Sequence, residues 1–162
     1  MIIHAFVSSR LDYCNSLFTC LSKTTMDRLK IIQNAAARLL TRSSRRCHIT
    51  PVLASLHWLR INFRVQFKVL VLTYRALHGQ APSYLSDLVP RYVPDRALRS
   101  ADQGLIKVPN TNLITKGDRA FQAVAPKLWN ALPQVLRDAA SVDIFKNNLK
   151  TFLFEQAFVV GI

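Results

Sequence analysis

The sequence predicts a mainly α-helical protein, an irregular bundle of about six helices with a proline-rich loop and a small β-hairpin near 105–114. Apolar residues recur at intervals of three and four over most of the 162 residues, which is the period of a helix. Half of the residues are apolar, so one domain of ordinary size can bury a core. We expect one compact unit made of a basic helical region (1–89), a loop or hairpin connection (90–117) and a C-terminal helical part (118–158).

Two helices are expected before the first basic segment. Ile2–Phe18 is mostly apolar and predicts a short helix, whereas Met26–Thr41 predicts a clearer one, with Thr24 or Thr25 as its N-cap. The apolar residues of this second helix recur at helical spacing: Leu29, Ile32, Ala36, Leu39 and Leu40. These positions form its expected apolar face.

Local signals bound the next two helices. Thr50 as N-cap and Pro51 at the first helical position predict a short helix through Trp58. A long helix then begins near Arg60, and Gly79 ends it, because glycine is common just beyond the last helical turn. The expected apolar sector of this long helix contains Phe63, Phe67, Leu70, Tyr74 and Leu77.

Loop signals separate the two halves of the chain. A short helix is expected over 82–88, after which prolines, asparagines and threonines become frequent over 90–116. Within this loop, 105–108 and 113–114 predict the two arms of the hairpin. Helical signals return over 118–129, and a last amphipathic helix starts at Ser141.

The positive charge is concentrated in one stretch. The chain has a formal net charge of +13, and from Arg28 to Arg99 there are thirteen lysines and arginines against only Asp87 and Asp95, a net +11. No acidic residue lies between Asp27 and Asp87. Arginine outnumbers lysine fourteen to eight, and its planar fork suits bidentate phosphate contacts. This distribution favours a phosphate-bearing partner, and nucleic acid over anionic lipid.

Two groups of cations are candidate phosphate contacts. The first occupies one sector of the long helix, in a row about 22 Å long; its members are Arg60, Arg64, Lys68 and Arg75. The second lies at the end of the Met26–Thr41 helix and in the serine–arginine run that follows; its members are Arg38, Arg42, Arg45 and Arg46. A solvated helix face or helix end is the alternative for both groups, and the missing acids argue against it for the first.

The residues needed for catalysis or for a cofactor are not apparent. A two-metal polymerase or nuclease site needs carboxylates that lie close together, and no two acidic residues of this chain are adjacent. Only four glycines are present, and none belongs to a phosphate-binding loop. Cys47, His48 and His57 lack the spacing and the fourth ligand of a zinc site. We therefore expect no cofactor and no metal, and a binding module rather than an enzyme.

Nothing predicts a membrane protein or a secreted one. No run of about eighteen apolar residues occurs, and the first residues lack the cationic start and cleavage site of a signal peptide. Three irregularly spaced cysteines do not suggest a disulfide framework. An intracellular location, in the nucleus or the cytoplasm, is expected.

Ordered short motifs run along the chain from about Ser9 to Ala157. They are LDYCNSL (11–17), IQNAAARLL (32–40), HITP (48–51), LHWL (56–59), YRALHG (74–79), APSYL (81–85), GDRAF (117–121) and LWNALP (128–133). In this order they resemble the C-terminal part of the reverse transcriptase polyprotein of non-LTR retrotransposons, the jockey-like long interspersed elements. Two departures are visible: Arg60 stands where a proline is usual, and Cys20-Leu21-Ser22 stands where Gly-Leu-Pro is common.

The resemblance implies the thumb and post-thumb region of an RNA-directed DNA polymerase that acts by target-primed reverse transcription. It implies RNA or an RNA–DNA hybrid as a partner, together with the palm and fingers domain of the parent, and no membrane. This chain lacks the paired aspartates of the palm motif and an endonuclease domain, so alone it is not expected to be an enzyme.

Two other interpretations stay open. In one, the chain is a helical interaction module whose apolar helix faces, on the Met26 and Ser141 helices, dock on a missing polymerase domain. In the other, the chain is a non-functional decayed copy, and the departures from the family pattern favour this interpretation. Membrane-surface binding through the basic helix is the weakest reading, because the chain is rich in arginine and its aromatic residues are expected in the core.

Overall fold

A computed structural model describes residues 4–94, 104–110 and 117–158 of the chain. This part is mainly helical, as predicted, and forms an irregular helical bundle without a strand. Its α-helices are α1 (Ser9–Asp12), α2 (Lys23–Thr41), α3 (Ile49–Ser55), α4 (Ile61–Leu77), α5 (Ser83–Asp87), α6 (Phe121–Asn130), α7 (Gln134–Arg137) and α8 (Val142–Phe158). A π-helical turn (His4–Ser8) and two 3-10 turns (Asn15–Cys20 and Gly117–Arg119) accompany them.

The described residues pack as two compact units. The first contains residues of Met1–Val65 and Thr151–Ile162, and the second those of Gln66–Lys150. Helices α4 and α8 each contribute residues to both units. Packing therefore groups the chain differently from the expected segments 1–89, 90–117 and 118–158, which remain a prediction.

The N-terminal helix expected over Ile2–Phe18 is wrong as a single element. Within the described residues it is divided into the π-helical turn, α1 and the first 3-10 turn. Cys14 lies between the last two with φ 49°, a left-handed conformation that cannot continue a right-handed helix. The segment is helical in parts, but the spacing of its apolar residues does not reveal that the backbone at Cys14 is left-handed.

Helix α2 begins three residues earlier than expected. Ser22 is its N-cap, since the Ser22 hydroxyl accepts a hydrogen bond of 3.2 Å from the backbone amide of Thr25. Neither Thr24 nor Thr25 is the cap. In the first turns, Lys30 donates a 2.8 Å hydrogen bond to Asp27, and this bond lowers the pKa of the Asp27 carboxyl below its usual range.

Helix α3 also begins earlier than predicted. His48 occupies its N-cap position without a side-chain capping bond, and Thr50 and Pro51 lie inside the first turn. The Thr50 hydroxyl accepts a 2.8 Å hydrogen bond from Arg60 instead of capping the helix. A long-range partner has thus replaced the local role that the sequence suggested for this threonine.

The predicted end of α4 and the predicted start of α8 are confirmed. Gly79 has φ +67°, and beside it the Gln80 amide donates a 2.8 Å hydrogen bond to the Arg75 carbonyl. This backbone bond is typical of a helix that ends in a left-handed glycine. At α8, the Ser141 hydroxyl accepts a 3.3 Å hydrogen bond from the Ile144 amide, which caps the first turn.

A buried glutamine lies at the centre of the first unit. The Gln33 side chain of α2 donates 2.7 Å to the Leu59 carbonyl and accepts 2.9 Å from the Ile61 amide. Gln33 is 1 % exposed, so both groups would lack water if this side chain were absent. The buried hydrophobic residues of this unit are Leu11, Ala36, Ala37, Leu53, Trp58, Leu59, Ile61, Val65, Leu153, Ala157 and Phe158.

The second unit is built around three buried aromatic residues. Tyr74 of α4 stacks on Phe145 of α8 with ring centroids 4.6 Å apart, and Trp129 of α6 lies 5.8 Å from the Phe145 ring. Both polar tips have partners, because the Tyr74 hydroxyl donates 2.7 Å to the Ala139 carbonyl and the Trp129 indole donates 2.9 Å to the Gly104 carbonyl. These contacts join α4, α6 and α8 around one aromatic cluster.

The segment expected as the first hairpin arm pairs elsewhere. Ile106 forms an isolated antiparallel bridge with Arg91, and its backbone exchanges hydrogen bonds of 3.0 and 2.9 Å with the Asn130 side chain. The second expected arm, 113–114, lies outside the described residues. Among the described helices, none is long and apolar enough to span a bilayer.

Replacing Gln33 by leucine tests the importance of the buried amide. We expect Q33L to lower the free energy of unfolding by about 1–3 kcal/mol, because the Ile61 amide loses its partner inside the core. Urea denaturation measures this change, and Gln156→Leu, at an exposed position in the same unit, serves as the control with a change within about 0.5 kcal/mol. Equal stabilities of the two variants would contradict the role given to Gln33.

Candidate nucleic-acid interface

Helix α2 turns an apolar face outward, opposite its buried one. At 100° per residue, Gln33 lies about 200° from Ile31, so burial of Gln33 and Ala37 directs Ile31 and Leu39 to the other side. Ile31 and Leu39 are each 67 % exposed, and Ile32 is 50 % exposed. Within the predicted apolar face, Ala36 is therefore buried, whereas Ile32 and Leu39 are exposed.

This outer face forms an open groove of about 610 Å³, which we name the α2 groove. The aliphatic part of its lining consists of Ile31, Ala35 and Leu39, and Asn34 and Ser43 add polar groups. The cations of the lining are Arg38, Arg42 and Arg45. Among the described residues of this lining there is no acid, so its three cations lie beside the apolar floor without an opposing charge.

Arg38 is partly fixed in place. Its Nη2 donates a 3.4 Å hydrogen bond to the Cys47 carbonyl, which ties α2 to the loop before α3. Its Nε is buried and has no hydrogen-bond partner among the described atoms. Burying a guanidinium donor without a partner is costly, so a ligand oxygen that reached this side chain would be favoured.

Arg42 ends α2 in a conformation that is unusual for its residue type. It lies at the C-cap with φ 53° and ψ 29°, and the following Ser43 amide donates 3.0 Å to the Arg38 carbonyl. Glycine is the usual residue in such a left-handed position, because other L-residues are strained there. Arg42 and Arg45 are exposed, and neither side chain has a hydrogen bond or ion pair with a described residue.

The fourth cation of this predicted group lies outside the groove. Arg46 is exposed, and its backbone amide donates a 3.3 Å hydrogen bond to the Ser44 hydroxyl. The structure thus brings together Arg38, Arg42 and Arg45 and leaves Arg46 beside them.

Arg64 of α4 is bound to the rest of the first unit. Its Nη1 lies 2.9 and 3.0 Å from the two carboxylate oxygens of Asp12, its Nε donates 3.1 Å to the Leu59 carbonyl, and its guanidinium lies 5.7 Å from the Trp58 ring centroid. The side chain is only 13 % exposed. The acid that the sequence around Arg64 lacks is therefore supplied by α1.

The other three members of the predicted stripe differ among themselves. Arg60 is half-buried, donates to Thr50 and lies 5.7 Å from the ring centroid of Phe158. Lys68 is exposed and Arg75 half-buried; both belong to the second unit and have no side-chain bond with a described residue. The stripe is thus not a uniform row of available cations.

Sequence reasoning missed Ile31, which lies outside the predicted apolar face. Leu39 was recognised as part of that face, and the alternative of a helical interaction module expects such a face to be exposed. The described residues contain no cluster of three or more histidine, cysteine or acidic side chains that could hold a metal ion.

The α2 groove thus combines three arginines with an aliphatic floor. Comparison of the chain with protein-family models, with curated proteins and with solved structures finds no match.

Replacing Arg42 by glycine separates the stability of the helix end from ligand binding. We expect R42G to raise the free energy of unfolding by up to about 1 kcal/mol, because glycine relieves the left-handed strain, while affinity for nucleic acid falls. Thermal unfolding and a fluorescence titration measure the two effects. Arg10→Gly, which removes an exposed arginine from the middle of α1, should lower stability instead. A loss of stability in R42G would contradict this view of the α2 C-cap.

Proposed function

We propose that this chain is a nucleic-acid-binding, non-catalytic segment of a non-LTR retrotransposon reverse transcriptase, from the thumb and the region beyond it. The α2 groove is the proposed binding surface, with RNA or an RNA–DNA hybrid as the ligand. One observation above all supports this function: three arginines of the predicted basic group line the same open groove, and no acid is found among its described lining residues.

The groove suits a phosphate backbone for electrostatic reasons. Phosphates of a bound strand would replace the water around Arg42 and Arg45 and would reach Arg38, whose Nε has no partner among the described atoms. Charge-assisted hydrogen bonds from guanidinium groups to phosphate oxygens are among the stronger polar contacts. The aliphatic floor adds contact with sugars or bases without sequence preference.

The predicted cations outside the groove have different tasks in this proposal. Arg64 holds α4 to α1 through Asp12, and Arg60 holds the start of α4 to α3 through Thr50. These two residues would support the groove rather than contact phosphate. Lys68, Arg75 and Arg46 remain candidates for further contacts, because none of them has a side-chain bond with a described residue.

The parent protein is proposed from the ordered motifs between Ser9 and Ala157. Its palm and fingers would be the missing partner, and its location would be intracellular. The reading frame upstream of the Met1 codon should then encode a palm motif with paired aspartates. A frame that continues without one would argue against this parentage and would leave binding at the α2 groove as a separate question.

A triple substitution in the groove tests the binding function. We expect the change of Arg38, Arg42 and Arg45 to glutamine to weaken binding to a short RNA–DNA hybrid by at least about tenfold at low salt. The slope of log affinity against log salt should become shallower by about 2, because fewer counterions are released. Fluorescence anisotropy over a series of salt concentrations measures both quantities.

The control removes the same charge elsewhere. Arg10, Arg28 and Lys150 are exposed and lie outside the groove, so their replacement by glutamine should leave most of the affinity intact. Equal losses in the two triple variants would show that only net charge matters. The absence of binding by the native chain at low salt would refute the proposal.

A second function, docking on a protein partner, is favoured by the exposed Ile31, Ile32 and Leu39. Such a row of large apolar side chains on one helix face is typical of a surface that another domain covers. A variant with Ile31→Gln and Leu39→Gln keeps the charges of the groove and removes its apolar floor. If docking is the function, this variant should reduce concentration-dependent association in sizing chromatography, and the arginine variant should not.

A further inference from the structure

The second unit contains a small polar pocket that the proposed function does not use. It has a volume of about 160 Å³, and its lining includes His78, Arg91, Trp129, Arg137 and Asp138. A pocket of this size can hold several waters or one small anion. We name it the Arg137 pocket.

Arg137 is the residue that makes this pocket unusual. It is the last residue of α7 and only 8 % exposed, and its Nη1 donates a 3.3 Å hydrogen bond to the Asn130 carbonyl. Its Nε is buried without a hydrogen-bond partner, and the Arg137 guanidinium forms no ion pair with any described carboxylate. A buried cation normally has a counter-ion, because removal from water is costly without one.

Two further groups in the lining can face the same ligand. Arg91 donates 3.2 Å to the Leu77 carbonyl through Nη2, and its other guanidinium hydrogens have no partner among the described residues. His78 lies 2.8 Å from the Tyr74 carbonyl through Nδ1 and stacks on the Tyr74 ring at 4.0 Å. Because a carbonyl oxygen only accepts, Nδ1 must carry the hydrogen, and Nε2 is free to meet a protonated ligand oxygen.

We propose that the Arg137 pocket binds a phosphate group. Two guanidinium groups from different segments and one imidazole can approach a tetrahedral oxyanion from several directions, whereas one planar carboxylate satisfies fewer of these groups. Among the described lining residues Asp138 is the only acid, and its charge weakens the binding of an anion. The phosphate is either free or the terminal phosphate of a polynucleotide, since both present the same group.

The experiment follows the indole N–H of Trp129, which lines the pocket and donates to the Gly104 carbonyl. The full chain labelled with ¹⁵N is titrated with inorganic phosphate, and the Trp129 signal is assigned with a Trp58→Phe variant. We expect a saturable shift with a Kd in the millimolar range or tighter. R91Q should weaken binding by at least about tenfold, and D138N should strengthen it.

Three variants separate binding in the pocket from an effect of net charge or of misfolding. Lys150→Gln removes an exposed charge from the same unit and should bind phosphate as the native chain does. Arg137→Gln should abolish binding, and because Arg91 is exposed, R91Q tests the pocket even if the Arg137 variant fails to fold. No saturable shift in the native chain, or equal affinity in R91Q and the native chain, would overturn the proposal.

Further titrations distinguish the source of the anion. An oligonucleotide with a 5′-phosphate that binds more tightly than the same strand with a 5′-hydroxyl, in an Arg91-dependent manner, identifies a polynucleotide end. Equal behaviour of the two strands, with binding of inorganic phosphate, identifies the free ion. Acetate that binds as tightly as phosphate would overturn the assignment of phosphate. The outcome is independent of the α2 groove, because none of these residues lines that groove.

Discussion

Between α3 and α4 the backbone passes through the core of the first unit, and two of its polar groups, the Leu59 carbonyl and the Ile61 amide, bind the side chain of Gln33. The amide is suited to this position because it donates at one atom and accepts at the other. It fixes the rotation of α2 about its own axis, since Gln33 must face the start of α4. Once that rotation is set, Ile31 and Leu39 point outward. The floor of the groove therefore depends on Gln33, which lies on the opposite side of the helix.

Local chemistry predicted where several helices begin and end, but not which face of α2 is buried. Gly79 and Ser141 act through groups within a few residues, so the sequence contained enough information for both. The buried face of α2 depends on tertiary packing. Ala36 and Ala37 are small enough for close approach of a neighbouring element, and Gln33 supplies hydrogen bonds there, whereas Leu39 has no place in that contact. A hydrophobicity pattern ranks Leu39 above Gln33 and therefore misplaces the face.

The same limit applies to the candidate binding residues. A count of acids near Arg64 in the sequence finds none, yet Asp12, 52 positions earlier, accepts from Arg64 Nη1 with both carboxylate oxygens. Charge arithmetic along a chain cannot detect a pair that only folding brings together. It was more informative for Arg38, Arg42 and Arg45, because these residues lie within one helix end and the following loop, where spacing in the sequence still determines spacing in the structure.

Arginines of this chain therefore differ in what they can offer a ligand. Arg64 has already exchanged water for a carboxylate, a carbonyl and an aromatic ring, so a phosphate would have to compete with Asp12. Arg38 is held by one carbonyl, and its buried Nε has no described partner. Because the side chain is already held, it would lose less conformational freedom on binding an anion than an unrestrained arginine would. Arg137 shows the same combination in the second unit, one carbonyl bond and an Nε without a partner. A positively charged surface attracts any polyanion. Partly buried guanidinium groups are more selective, because they favour an anion whose oxygens fit the N–H groups that still lack a partner. Arg38 and Arg137 are the positions at which such selectivity would arise.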